Sequence, residues 1–516
     1  MLTLLACRNE ATVRVAPPPL SPTSRAGLEA TSLPNATDTA VIERVATPAP
    51  TRPAANRGPS SSVAAPVAPS TRPQVGGLLS PEGTRWYEPS SSNPLAYLLH
   101  HELTRSLLDP LSAGPEIALR WSMDSVEATF TLAPAAEWSD GTRLDASGVV
   151  AVLRRAVEAG SLSGIESVEV IDERTVELLL SGPDCSPLMQ AATWPLTDGS
   201  EWPPAQNSGN VSITAQDEEL WIIEPERFTY RVFPDELALR EAWARGEINS
   251  ILGANRLTMG SLPGPVEPSH AAGPLLATLL FKMNDPVVGD AGLREALTLA
   301  TDRTALFKTA YGFAPSALLA ALLPPDHWAA PAGPLPHDPE RAAELLAQAG
   351  WNDGNGDGLR ENGAGEELRL VLSTPLSPDQ RWERLAHALA EQWAAIGVRL
   401  EPLYVESYAL EERLHTGRWQ VTLLAYDVVA DPDQRALWSV PAPDDLRGRD
   451  LNIMGYNNAT VSDLLTQGAQ VPGCRPAERA SFYHEAWEQL LRDRPLWPLF
   501  PLPLDEVHRP IVEWDR

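Results

Sequence analysis

The sequence predicts an α/β protein with mixed sheets, divided into more than one lobe. Strand and helix signals alternate through most of its 516 residues, the pattern of sheets that carry helices on their faces. A chain of that length exceeds what one ordinary hydrophobic core organises. Apolar residues make up 43% of it and charged residues 21%, a balance that fills cores and keeps the surface in water.

The elements follow in order. Ala128-Thr-Phe-Thr-Leu132 alternates apolar and polar positions, as a half-buried strand does. Gly141 turns the chain, and Asp145 stands where an N-cap starts a helix through Val149, Val150 and Leu153 to Ala156. Ser167 to Leu180 reads as two strands joined at Asp172-Glu173-Arg174. Asp338-Pro339-Glu340 opens a helix with proline in its first turn. Ala342, Leu345, Leu346 and Ala349 share one face of it, and Gly350 lies past its end.

Charge and composition exclude several functions. The formal net charge is -28, and the segment up to Arg85 contributes none of the acidity, because its arginines outnumber its acids. Such a body repels nucleic acid and anionic headgroups, so no nucleic-acid partner is expected. The surplus carboxylates serve solubility. No run of eighteen apolar residues forms a membrane-spanning helix. There is no nucleophile elbow, His-Glu-x-x-His or phosphate loop, so the sequence predicts neither an enzyme nor a cofactor.

Three cysteines are present, Cys7, Cys185 and Cys474, at spacings that match no zinc or redox signature. Cys185 and Cys474 either pair in an oxidising compartment or remain two buried thiols. Asp353-Gly-Asn-Gly-Asp-Gly358 begins like a calcium loop, but its twelfth position is Ala364, where a bidentate glutamate belongs; it reads as a turn. His100 and His101 point in different directions on a helix and take solvated or capping roles. No metal is expected.

At the amino end, Leu4-Leu5-Ala6-Cys7 resembles a bacterial lipobox. The resemblance implies acylation of Cys7 and cleavage before it, with residues 1–7 a shortened signal peptide. Residues 8–75 are rich in Pro, Ala, Thr and Ser, and the first aromatic residue is Trp86. That segment cannot offset the entropy of ordering and is expected to be a semi-stiff, disordered tether.

Beyond it, eight phrases occur in a recognisable order. They are Arg120-Trp-Ser-Met, Glu137-Trp-Ser-Asp-Gly-Thr-Arg-Leu144, Tyr230-Arg-Val-Phe-Pro-Asp-Glu with Ala244-Arg-Gly-Glu-Ile248, and Phe281-Lys-Met-Asn284. Leu293-Arg-Glu-Ala-Leu-Thr-Leu-Ala-Thr-Asp-Arg303 follows, then Pro324-Pro-Asp-His-Trp328, Gly455-Tyr-Asn-Asn458 with Asp463, and Pro476-Ala-Glu-Arg479 through Pro498-Leu-Phe-Pro501. Together they resemble the family 5 extracellular solute-binding proteins, the dipeptide, oligopeptide and nickel receptors of ABC importers. The likeness covers everything except the tether. One departure is Asn249, where the family carries an aspartate.

The resemblance implies a two-lobed fold of the periplasmic-binding-protein kind, type II with an extra domain. Two crossing strands form the hinge, near Leu275–Lys282 and Trp497–Pro503. Lobe 1 would span residues 76–275, with 500–516 returning to it, and lobe 2 residues 276–499. It implies a monomeric receptor outside the cell membrane, on the periplasmic side where there is an outer membrane. A lipid anchor would hold it there, and it would deliver a peptide or peptide-like solute to permease subunits. A saccharide or other organic-solute receptor, or a surface sensor without a transport role, are the alternatives.

In the family's peptide receptors an aspartate in a tract ending in an acidic residue and proline pairs with the peptide amino terminus. In Leu424-Ala-Tyr-Asp-Val-Val-Ala-Asp-Pro-Asp433 that position holds Val428, with Asp427 one residue before it; a one-residue shift turns a strand side chain to the other face. Asp427 is the candidate for a cationic ligand group. Tyr426, Trp438, Trp194 and Asn284 are the other candidate contacts, the aromatic rings suited to stacking or to a cation. In a chain with 16 tryptophans, core packing is the competing role for each of them.

Overall fold

The computed structural model describes residues 117–194, 231–252, 260–427, 431–438 and 451–508, with 234, 326, 378 and 379 excepted. It also describes 103–105, 114–115, 196 and the strands at 74–78, 212–215, 221–224 and 229–230. The leader, Cys7, the paired histidines and nearly all of the tether lie outside these residues. The tether ends earlier than its composition predicts, because Gln74 and Val75 already belong to a strand.

One module is a four-stranded antiparallel sheet. Its strands are β4 (Ala118–Met123), β5 (Glu127–Leu132), β6 (Ile165–Asp172) and β7 (Thr175–Leu180), in the order β4-β5-β7-β6. A small ribbon of β2 (Thr104–Arg105) and β3 (Gly114–Pro115) accompanies it. The alternation in β5 buries Ala128, Phe130 and Leu132. Helix α1 (Ala146–Glu158) covers that face with Val149, Val150 and Leu153, and Asp145 caps it by accepting from the Gly148 amide at 3.0 Å. The Glu137–Arg143 hairpin needs Gly141 at its tip, where φ is 79°, a region open to glycine and strained for other residues. Helix α2 (Cys185–Ala192) closes the module.

The second sheet has ten strands. In chain order they are β1 (Gln74–Leu78), β8 (Ser212–Ala215), β9 (Trp221–Glu224), β10 (Thr229–Phe233), β11 (Ser250–Leu252), β12 (Glu267–Phe281), β13 (Arg369–Pro375), β14 (Arg399–Val405), β15 (Val421–Asp427) and β16 (Leu496–His508). Their spatial order is β14-β13-β15-β12-β16-β11-β1-β10-β9-β8. Parallel pairs such as β13/β14 and β1/β10 stand beside antiparallel ones such as β12/β15, so the sheet is mixed.

Two strands run through both halves of this sheet. Residues 267–272 of β12 pair with 503–508 of β16, and 276–280 pair with 496–501. β11 lies beside β16 at one end, and β15 beside β12 at the other. The ladder loses register between Ala272 and Leu276. Gly273-Pro274 there faces Pro501-Leu502-Pro503, and prolines supply no ladder N–H. The segments expected to cross near 275–282 and 497–503 are therefore direct partners, and their break falls at the start of the expected range.

The half built on β12–β15 is buried on both faces. Ala277, Leu279 and Phe281 of β12 with Val421 and Leu423 of β15 face one core. Leu276 and Leu280 with Leu424 and Tyr426 face the other, as period-two alternation requires. Helix α3 (Glu236–Arg245) packs Leu239 and Trp243 onto the other half. The first β12–β15 core is covered by α4 (Ala291–Leu299), α5 (Arg303–Tyr311), α6 (Pro339–Gln348) and α7 (Arg381–Ala394). The second is covered by α8 (Ser407–His415), α9 (Ala459–Ala469) and α10 (Pro476–Asp493).

α4 ends at Leu299, and Asp302 accepts from the Ala305 amide at 2.9 Å to start α5. One sequence expectation needs correction here. In α6, Ala342, Leu345 and Leu346 are buried, but Ala349 is the exposed C-cap residue. Among the described residues no helix is long and apolar enough to cross a membrane.

Candidate functional site

β15 ends where the two halves of the sheet meet. Asp427 is the last residue of the strand and pairs with Leu275, within the break in the β12/β16 ladder. The Asp427 side chain and residues 428–430, Val428 among them, lie outside the described residues.

From Asp431 onward two arginines fix the tract. Arg479 of α10 grips Asp431 through two bonds of 2.7 and 3.0 Å, and both residues are buried. The guanidinium also donates to the Gly468 carbonyl at 2.9 Å and the Tyr483 hydroxyl at 2.7 Å. It lies 5.5 Å from the Trp328 ring centroid and 5.2 Å from that of Tyr483. A buried ion pair of this kind survives only when its remaining donors and acceptors are satisfied. Burial pushes the Asp431 carboxyl upward, but the Arg479 charge and hydrogen bonds outweigh it and hold the group below its ordinary value.

Asp433 accepts from Nε of Arg435 at 2.9 and 2.8 Å. Arg435 also donates to Asp184, the residue that caps α2 of the four-stranded module. Burial opposes the Arg435 charge, but Asp433 and Asp184 more than compensate and raise its pKa. The next residue, Cys185, forms a disulfide with Cys474, with Cα atoms 5.5 Å apart. Of the two states open to these cysteines, the structure has the bonded one. A covalent bond and an ion pair thus tie the module to the β12–β15 half at one place.

Tyr426 and Trp438 meet in one buried cluster. Trp438 donates to Gln434 Oε1 at 3.3 Å and packs edge-on to Trp487 and Tyr456, with centroids 5.9 and 6.3 Å away. The Tyr426 hydroxyl is buried without a hydrogen-bond partner, and burial drives its pKa far upward. Trp194 packs half-buried against the four-stranded core. Asn284 is exposed in the turn after β12, more than about 16 Å along the strand from the Leu276/Tyr426 rung. The structure therefore unites Tyr426 and Trp438, places Asp427 next in the chain, and sets Asn284 apart from them along β12.

Asp184, Arg435 and Arg479 were not among the sequence candidates. Asp184 carries a local signal as an N-cap, but its partner stands 251 residues away. In the Asp353–Gly358 loop, carboxylates of Asp353, Asp357 and Glu361 converge within 4.8 Å. Amides of Gly354, Gly356, Gly358 and Leu359 donate to them, which is the hydrogen bonding of a tight turn.

Residues 223–445 match the family described as "Bacterial extracellular solute-binding proteins, family 5 Middle". The oligopeptide-binding protein AppA of Bacillus subtilis is 24% identical over 214 residues, 40% of this chain and 37% of AppA. Its structure with a nonapeptide matches 86% of this chain and 95% of its own, with a TM-score of 0.62 and 18% identity. The periplasmic oligopeptide-binding protein OppA of Escherichia coli is 21% identical over 454 residues, 75% of this chain and 79% of OppA. NikA of Brucella suis, solved with Fe(III)-EDTA, reaches a TM-score of 0.67 at 19% identity, covering 86% and 97% of the two chains. The shared fold is the mixed α/β one described above. The middle of the chain, residues 223–445, thus resembles the family 5 extracellular solute-binding proteins, and the described body shares the fold of these solved receptors.

Proposed function

We propose that this protein is the extracytoplasmic receptor of an ABC importer and captures a peptide or peptide-like solute in a cleft between its lobes. Lobe 1 comprises residues 76–275 with 500–516 returning to it, and lobe 2 residues 276–499. The observation that carries the reading is the end of β15, where Asp427 pairs with Leu275 within the break in the two-strand ribbon. A ligand held there touches both lobes, and Asp427 meets its cationic amino terminus. Asp431 and Asp433 are already neutralised by Arg479 and Arg435, so they anchor the tract and do not compete for the ligand.

Closure over the solute removes water and strengthens each polar contact in the cleft. It also creates the shape that the permease subunits distinguish from the empty receptor. Acylated Cys7 holds the monomeric protein on the outer face of the membrane, and the Pro-rich segment spaces the body from it. AppA and OppA, named as oligopeptide-binding proteins, favour a peptide. The burial of Tyr426 and Trp438 leaves fewer free ring faces for a saccharide.

Thermal melting with a random peptide mixture should raise the Tm, because a ligand that binds only the folded state stabilises it. Asp427→Asn should weaken binding of the selected peptide at least tenfold, about 1.4 kcal/mol. A shift with oligosaccharides and none with peptides would overturn the peptide reading. Intact mass of the mature protein tests the anchor, and an unmodified Cys7 with its leader in place would remove it.

A further inference from the structure

We propose that the Cys185–Cys474 disulfide and the adjoining Arg435 bridge form a redox latch between the two lobes, so that the oxidised receptor opens only slightly. This rests on the lobe boundaries proposed above, which put Cys185 and Asp184 in lobe 1 and Cys474 and Arg435 in lobe 2.

The geometry limits the motion directly. A disulfide holds its Cα atoms between about 4.4 and 6.8 Å apart, and here they are 5.5 Å apart. The two lobes can separate at that point by little more than an ångström. They are also joined by the β12/β16 ribbon, with its break at residues 272–276. Two bodies joined at one place can rotate relative to each other about any axis through it. Joined at two places, they keep only rotation about the line between them. The latch therefore removes the wide separation that a free hinge allows and leaves a restricted swing about a fixed line.

Polar contacts at the same edge support the closed arrangement. Arg435 stands between Asp433 of its own lobe and Asp184 of the other, and about a quarter of the arginine and of Asp184 is exposed. The Asp184 amide donates to the Ser125 carbonyl at 2.6 Å, and its other carboxylate oxygen caps the Ser186 amide at 3.0 Å. The lobe 1 half of the latch is thus held rigidly by its own module. Reduction by a dithiol breaks the S–S bond and leaves two thiols, the electrons coming from the dithiol as it becomes a disulfide. The ion pair and the contacts of the two sulfurs with the Val471 and Asp124 carbonyls then resist opening, and water weakens them as the edge parts.

Non-reducing peptide mapping of the full chain should find the 185 and 474 peptides joined; two free thiols would overturn the proposal. Pulsed dipolar spectroscopy then reads the ligand-free protein, with spin labels attached by non-cysteine chemistry at the exposed positions of Glu166 and Glu340. The oxidised chain should give one narrow distance distribution. The chain reduced after folding, and separately the C185S/C474S chain, should broaden it toward longer separations, and R435Q in the reduced chain should broaden it further. Identical distributions in oxidised and reduced chains would overturn the latch. So would unfolding of both reduced forms, which would make the bond a structural staple. Because no ligand is used, failure here is distinct from failure of the peptide reading, which the melting experiment decides.

Discussion

The four-stranded module packs a largely apolar core and buries no guanidinium among the described residues, whereas the β12–β15 half buries whole guanidinium groups. In the module, Phe130, Val149, Leu153, Val176 and Leu178 pack together. Its ion pairs, Arg143–Glu173 and Arg154–Glu169, are about half exposed or more. In the other half, Arg294, Arg303 and Arg479 are all buried. Arg294 donates to the carbonyls of Val288, Gly289 and Asp493. Arg303 donates to those of Leu319 and Pro498, and burial lowers its pKa to about 10. The module's backbone is mostly hairpin ladder, which pairs its own carbonyls. The other half has a proline-bearing strand and several irregular turns, whose buried carbonyls need donors from elsewhere. A guanidinium supplies five donors from one side chain, so arginine is buried where the backbone is irregular.

Four measurements can break or sharpen this contrast, and local amide exchange reads the two regions separately. The largest effect belongs to Arg479→Met. It leaves Asp431 charged and unpaired in the core, at an expected cost of about 3–5 kcal/mol confined to the β12–β15 half. Leu178→Ala should cost about 2–4 kcal/mol in the module, through lost burial and a residual cavity.

Acid comes next. Asp431 and Asp493 both have pKa values held below the ordinary 3.8. Burial opposes this for each. Arg479 outweighs it at Asp431, and hydrogen bonds from Tyr456, Asn458 and Gln489 with the Arg294 charge do so at Asp493. A depressed folded value means that this stability is fully present above the unfolded value and is lost as pH falls through the folded one. The urea midpoint of the β12–β15 half should therefore drop below about pH 4 more steeply than that of the module, and Asp431→Asn should flatten that slope. Arg143→Ala, at an exposed pair, should change stability by less than about 1 kcal/mol. A larger loss there would mean that the module depends on its ions after all.

The contrast also explains what could be read in advance. Asp145, Gly141 and Asp338 announce their elements because caps and turns are encoded within a few residues. The boundary between α4 and α5 is marked only by the Asp302 cap, because the apolar run continues through the junction. The candidate site was harder to read for a specific reason. β15 is covered on both faces, so Val421 to Tyr426 is a nearly unbroken apolar run with no alternation to show which side is the cleft. Tyr426 and Trp438 thus looked like ligand contacts and lie in the core. The pairing of Arg435 with Asp184 depends on two distant segments meeting, which no local pattern records.

The position of β16 has a consequence for how the chain is made. The last strand of the sequence lies in the middle of the ten-stranded sheet, between β11 and β12. During synthesis neither half of that sheet can complete its ladder until residues 496–508 emerge. Until then both β11 and β12 present open edges, which are templates for wrong pairing. A chain that ends before residue 496 is left in that state for good. The native form of both halves therefore waits for thirteen residues shared between them.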